Sequence, residues 1–236
     1  MAIIYASPGK TGACGANTGV WDAVHDSEGA KGHTFGDAVD SVAIRSRRFT
    51  SNAHCNITRL FMEFDTTSIT SAPGTATLNI KGYGSDTTTN PPIIVLLGEQ
   101  TSYDGNTFGD FVGHASGWDD SDVTELSSVH NSAWSTSGYN TITLNSDARD
   151  FIANEDTFKV VIVTYDYDYQ DVDPASVGTD LDVCVGVVLN ESGTSQDPYL
   201  ETGAAGYGKD VMGLASGDIG KIVGIASANV SKVSGV

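Results

Sequence analysis

Positive charge is scarce in this sequence. Only 12 Lys and Arg stand against 30 Asp and Glu, leaving a formal net charge of −18. Broad binding to nucleic acid phosphates needs clustered Lys and Arg that displace counterions, so no nucleic acid partner is expected. Long apolar runs are missing too. Nothing approaches the roughly 20 apolar residues of a membrane span, so no membrane-spanning helix and no membrane partner are expected. The start, from Met1 to Pro8, lacks the basic residues and apolar stretch of a secretory signal, so synthesis in the cytoplasm is expected. Cys14, Cys55 and Cys184 are odd in number and widely spaced, with no Cys-x-x-Cys pair. That pattern signals neither a disulfide framework nor a zinc site, and reduced, buried thiols are expected.

Catalytic fingerprints are also lacking. There is no Gly-x-Ser-x-Gly elbow, HExxH, phosphate-cradling loop or dinucleotide motif, and a non-enzymatic chain with no cofactor is expected. The five histidines, His25, His33, His54, His114 and His130, form no sequence motif with a nucleophile.

What is present is glycine, 27 residues of it, and short apolar stretches with period 2. Val42, Ile44 and Phe49 suggest one strand, and Ile57, Leu60, Phe61, Met62 and Phe64 another. Residues 76–83 alternate apolar and polar, the signature of a half-buried strand. Ile93 to Leu97 is too short for a normal helix and rich in β-branched residues, hence a strand buried on both faces. Residues 141–144, 158–165, 181–189 and 199–200 complete the set, with a capped helical turn at 146–152. Residues 101–138 read as a long loop, with a short helix near Asp122–Val129. Seven to nine short strands with almost no helical period predict an all-β fold, a jelly-roll-like β-sandwich. The expected organisation is an N-terminal arm or loops with one short strand at 1–36, a sandwich at 37–202 and a tail at 203–236.

The tail repeats. Gly213-Leu-Ala-Ser-Gly-Asp-Ile-Gly-Lys-Ile222 recurs eleven residues later as Gly224-Ile-Ala-Ser-Ala-Asn-Val-Ser-Lys-Val233. Glycines at 213, 217, 220 and 224 would each cost about 1 kcal/mol in a helix, so short β segments are expected. Lys209, Lys221 and Lys232 against Asp210 and Asp218 leave the tail nearly neutral, so the negative charge sits on the body and the tail can associate without large repulsion. Leu214, Ile219, Ile222, Ile225, Val230 and Val233 are the candidate assembly residues.

Two further groups are candidates for binding. Tyr103, Trp118, Trp134 and Tyr139 lie in or beside the loop-rich stretch. They suit either stacking on sugar rings or capping of the core. Asp166, Asp168, Asp171 and Asp173 alternate in the densest acidic run; on a strand edge they would present oxygens to calcium, or simply form an exposed edge with tyrosines opposite.

The stretch Arg59-Leu-Phe-Met-Glu-Phe-Asp65 followed by Ala76-Thr-Leu-Asn-Ile80, with Thr141–Ile152 and Asp197-Pro-Tyr-Leu-Glu201 later, resembles the DNRLRE-type β-sandwich family over about residues 40–202. The resemblance implies a jelly-roll-like module of surface and fibre proteins and carries no catalytic residues. The tail is similar to the Gly-x-Ala-Ser repeats that close structural proteins of marine and freshwater bacteriophages. It implies a virion location, as a capsid decoration protein, head fibre or tail-fibre component, with the chain itself as partner in a homotrimer and other virion proteins around it. The alternative expectation is a carbohydrate-binding adhesin, or a subunit of an extracellular filament, meeting surface glycans.

Overall fold

The computed structural model describes residues 1–7, 10–25, 32–35, 41–49, 54–83, 91–98, 123–174, 181–189, 196–204, 221–222 and 225–226. Its strands are β1 (Ala2–Tyr5), β2 (Gly12–Thr18), β3 (Gly32–Phe35), β4 (Ser41–Phe49), β5 (His54–Asp65), β6 (Thr75–Tyr83), β7 (Ile93–Leu97), β8 (Tyr139–Thr143), β9 (Thr157–Thr164), β10 (Leu181–Val188) and β11 (Tyr199–Gly203), with the two-residue β12 (Lys221–Ile222) and β13 (Ile225–Ala226) in the tail. Helices are short: α1 (Trp21–His25) and α2 (Ser146–Asn154). The all-β, sandwich-like fold expected from the alternating stretches is present.

Register explains how two layers arise. β6 pairs with β8 along Thr77–Lys81 and with β11 along Thr75–Asn79. Because these stretches overlap, the partners lie on opposite edges of β6, and β1 continues beyond β11. In the second layer, β5 pairs with β2 along Cys55–Phe61 and with β9 along Leu60–Asp65, with β3 outside β2 and β7 outside β9. The β4–β10 pair joins the layers, β4 along the first half of β5 and β10 at the last two residues of β6.

The second layer is buried on both faces, which is why β7 and β9 read as unbroken apolar runs. One face sends Leu60, Met62, Phe64, Ile93, Val95, Val160 and Ile162 against Leu78, Ile80, Ile142 and Leu200 of the first layer. The intervening residues Ile57, Phe61, Ile94, Leu96, Val161 and Val163 form a second core with Trp21, Val24 and Tyr169. Each buried aliphatic or aromatic side chain contributes about 1.5–3 kcal/mol, so both faces hold the layer in place. α2 is capped by Asn145, whose side chain accepts from the Ala148 amide at 3.0 Å, and it sends Ala148 and Ile152 into the main core.

Three local expectations meet a different outcome. Residues 1–36, read as an arm or loops with one short strand, supply β1, β2, α1 and β3, with β1 and β2 paired to β11 and β5. The short helix expected near Asp122–Val129 is not formed at 123–130, which run extended: Glu125 bridges Leu96, Ser127 bridges Leu144 and His130 bridges Ile93. The Leu126 amide donates to the Val95 carbonyl at 2.8 Å, so pairing along β7 satisfies the backbone. Residues 165–169, expected to continue a strand, form a π-helical turn, Tyr165–Tyr169. Cys55 and Cys184 are buried thiols, and each accepts from an arginine, Arg48 at 3.3 Å and Arg45 at 3.7 Å; the Cys14 side chain lies outside the described residues.

Candidate functional site

The acidic run is built into the second core. Asp168 is buried and accepts three hydrogen bonds from Arg59, from Nη2 to Oδ1 at 2.7 Å, from Nε to Oδ2 at 2.9 Å and from Nε to Oδ1 at 3.3 Å. Arg59 Nη2 also donates to the His25 carbonyl at 3.1 Å. Asp171 accepts from the Trp21 indole at 3.0 Å and lies 3.4 Å from His25 Nδ1. Asp173 accepts from Arg48 at 2.9 Å, and Asp166 is exposed. The run turns inward because Thr164 Oγ1 receives the Asp168 amide and the Gln170 amide reaches back to the Tyr165 carbonyl. Carboxylates expected on one strand edge are therefore divided among separate partners, and among the described residues no group of three or more His, Cys, Asp or Glu is placed to hold a metal ion. The arrangement fastens α1 and the π-helical turn onto β5.

The aromatic candidates separate. Trp134 is 6% exposed, and its indole donates to the Gly186 carbonyl at 2.9 Å; it packs against the core and edge-on to His130, with centroids 6.1 Å apart. Burial lowers the His130 pKa. Trp134 is thus a core residue rather than a stacking platform. Tyr103 and Trp118 lie outside the described residues.

Tyr139 has a different setting. It opens β8 on the outer face of the first layer, where its ring meets Tyr199 edge-on at 5.1 Å, and Tyr199 meets Tyr5 at 5.8 Å. Its hydroxyl donates to the Asp197 carbonyl at 3.1 Å. Lys81 lies 6.0 Å from the ring centroid and donates to the Ser137 carbonyl at 2.6 Å. Thr141 Oγ1 donates to Asn79 Oδ1 at 2.8 Å, and Asn79 Nδ2 to Thr77 Oγ1 at 3.1 Å. Sequence reading picked Tyr139 but missed Tyr5 and Tyr199, which lie far apart in the chain; the odd positions of the alternating strands carry the signal that would have joined them.

Burial first, then the neighbouring Tyr199, Asp197 and Tyr5, pushes the Tyr139 phenol up to about 12. An unfolded tyrosine ionises near 10. The unfolded chain therefore loses this proton first, and the stability that the group contributes is present below about pH 10 and lost as pH rises from there to about 12. Titration of tyrosinate absorbance in the wild type and Tyr139→Phe is expected to show that the variant lacks one late-ionising tyrosine; loss of a group titrating near pH 10 would contradict the geometry.

In the tail, β12 and β13 pair antiparallel, Lys221 with Ala226 and Ile222 with Ile225. Of the assembly candidates these two isoleucines fall in described strands; Leu214, Ile219, Val230 and Val233 lie outside the described residues. No family model matches the chain, and no curated protein matches it in sequence.

Proposed function

We propose that this chain is a non-enzymatic structural protein of a bacteriophage particle, a β-sandwich that oligomerises through its terminal segments and meets other virion proteins there. The observation that carries the reading is the repeat tail. Its first copy ends in Lys221–Ile222 and its second begins at Gly224, so the β12–β13 pair joins the end of one copy to the start of the next. A strand pair at a repeat boundary leaves edges for identical strands of neighbouring chains. Four of the sandwich's five arginines pair internally, Arg45 and Arg47 with Asp182 at 3.1 and 3.3 Å, Arg48 with Asp173 and Arg59 with Asp168.

Light scattering on the full chain beside one ending at Ala204, which retains all of β11, tests the proposal. The full chain is expected to be a discrete oligomer, a trimer on this reading, and the shortened chain a folded monomer. Two monomers would remove tail-driven assembly; two equal oligomers would move the contact to the body.

A further inference from the structure

The outer face of the first layer is a row of side chains that the main core does not use. Tyr5 of β1 is in register with Tyr199 of β11, Tyr199 with Asn79 of β6, and Asn79 with Thr141 of β8. Three strand spacings make this row about 14 Å long. Tyr5 is 55% exposed and Ile3, on the same face, 49%. Tyr139 leans diagonally onto Tyr199, so the three rings meet in sequence, one pair edge-on and the other tilted. Asn79, although on the outer face, is 3% exposed, because its neighbours cover it. Beyond β8 the row opens into a groove of about 350 Å³ lined by Thr141, Thr143, Ser128, Ser132, His130 and Asn145.

We infer that this face binds a neutral polysaccharide, one strand of it lying across β1, β11, β6 and β8 from Tyr5 to the groove. Phenol rings offer apolar surface to the C–H faces of sugar rings, and the groove supplies hydroxyl, amide and imidazole groups that both donate and accept. His130 suits this role because burial favours its neutral form. Charge selects among occupants. The chain carries −18 overall, whereas the strands of this face contribute only Lys81 and Glu201. An anionic polymer or a second copy of the chain would meet repulsion from the surrounding body; an uncharged polyol would not.

Affinity electrophoresis in gels containing hydroxyethyl cellulose, xyloglucan, dextran or glycogen, with alginate as the anionic comparison, tests this. At least one neutral polymer is expected to retard the chain, and alginate is not. Tyr5→Ala removes one exposed ring and Thr141→Arg places a bulky side chain in the row; each is expected to weaken retardation by roughly tenfold, the size of one ring contact. Both positions are exposed, and unchanged thermal unfolding of the two variants would show that the sandwich is intact. Retardation by none of the four neutral polymers, or retardation equal in the variants, overturns the inference. A dimer lost in Tyr5→Ala also overturns it, assigning the face to a second copy.

Discussion

Asp168→Ala is expected to lower the unfolding free energy by about 3–5 kcal/mol, the cost of leaving a buried charge uncompensated. Arg59 projects from the middle of β5 into the second core, between Ile57 and Phe61, and is fully buried. Its guanidinium meets Asp168 in a fork, which fixes both direction and distance. Removing the carboxylate keeps the cation in an apolar layer, where the His25 carbonyl still accepts from Nη2. The paired change Arg59→Met with Asp168→Leu is expected to recover most of the loss, since hydrophobic replacement of a buried pair is often neutral or stabilising. Urea unfolding of the two variants, compared at equal m, measures both. A loss in Asp168→Ala below about 1 kcal/mol would mean that water reaches the pair and that the second core is open, as for an exposed ion pair.

That pair also marks where sequence reading ended. β6, β7, β8, β9 and β10 were legible because their alternation or unbroken β-branched run states which faces are buried. β2, Gly-Ala-Cys-Gly-Ala-Asn-Thr, has no apolar period, and it is a strand because β5 offers it seven residues of ladder. The Tyr–Asp alternation of 165–169 suggested a strand with two distinct faces, yet it forms a π-helical turn. What overrides the period is a demand from elsewhere: Arg59, 109 residues away, requires a carboxylate at that depth. The scarcity of cations held a clue. Arg45, Arg47, Arg48 and Arg59 are four of the chain's five arginines, and they fall within two neighbouring strands. A reading that asked where so few positive charges would find partners could have turned the acidic run inward. The outer aromatic row was legible only in part, because Tyr5, Tyr139 and Tyr199 belong to three strands whose order no single stretch specifies.

Gly82→Ala is expected to destabilise the chain at the upper end of the roughly 1–3 kcal/mol typical of overpacking, against the usual sign for a strand. Replacing glycine within a strand normally helps by about 0.5–1 kcal/mol. At Gly82, however, an added Cβ falls inside contact distance of the Ser135 carbonyl oxygen and 3.0 Å from Asn140 Nδ2. The neighbouring atom is backbone, and it is clamped: Asn140 donates to the Ser135 carbonyl at 3.0 Å and accepts from the Ser135 amide at 2.8 Å, while the Gly82 amide donates to the Gly138 carbonyl at 3.0 Å. The turn is anchored again by the buried Trp134 beside it. Gly203→Ala is the control, because there the added Cβ meets chiefly the Thr75 hydroxyl, a side-chain atom that a rotamer change can move; its cost is expected to stay below about 1 kcal/mol. Thermal unfolding separates the two, at about 2–4 °C per kcal/mol for a chain of this size. If both variants melt alike, the Ser135 turn yields to a methyl group, and Tyr139, which follows that turn directly, cannot be held rigidly enough to define one edge of the aromatic face.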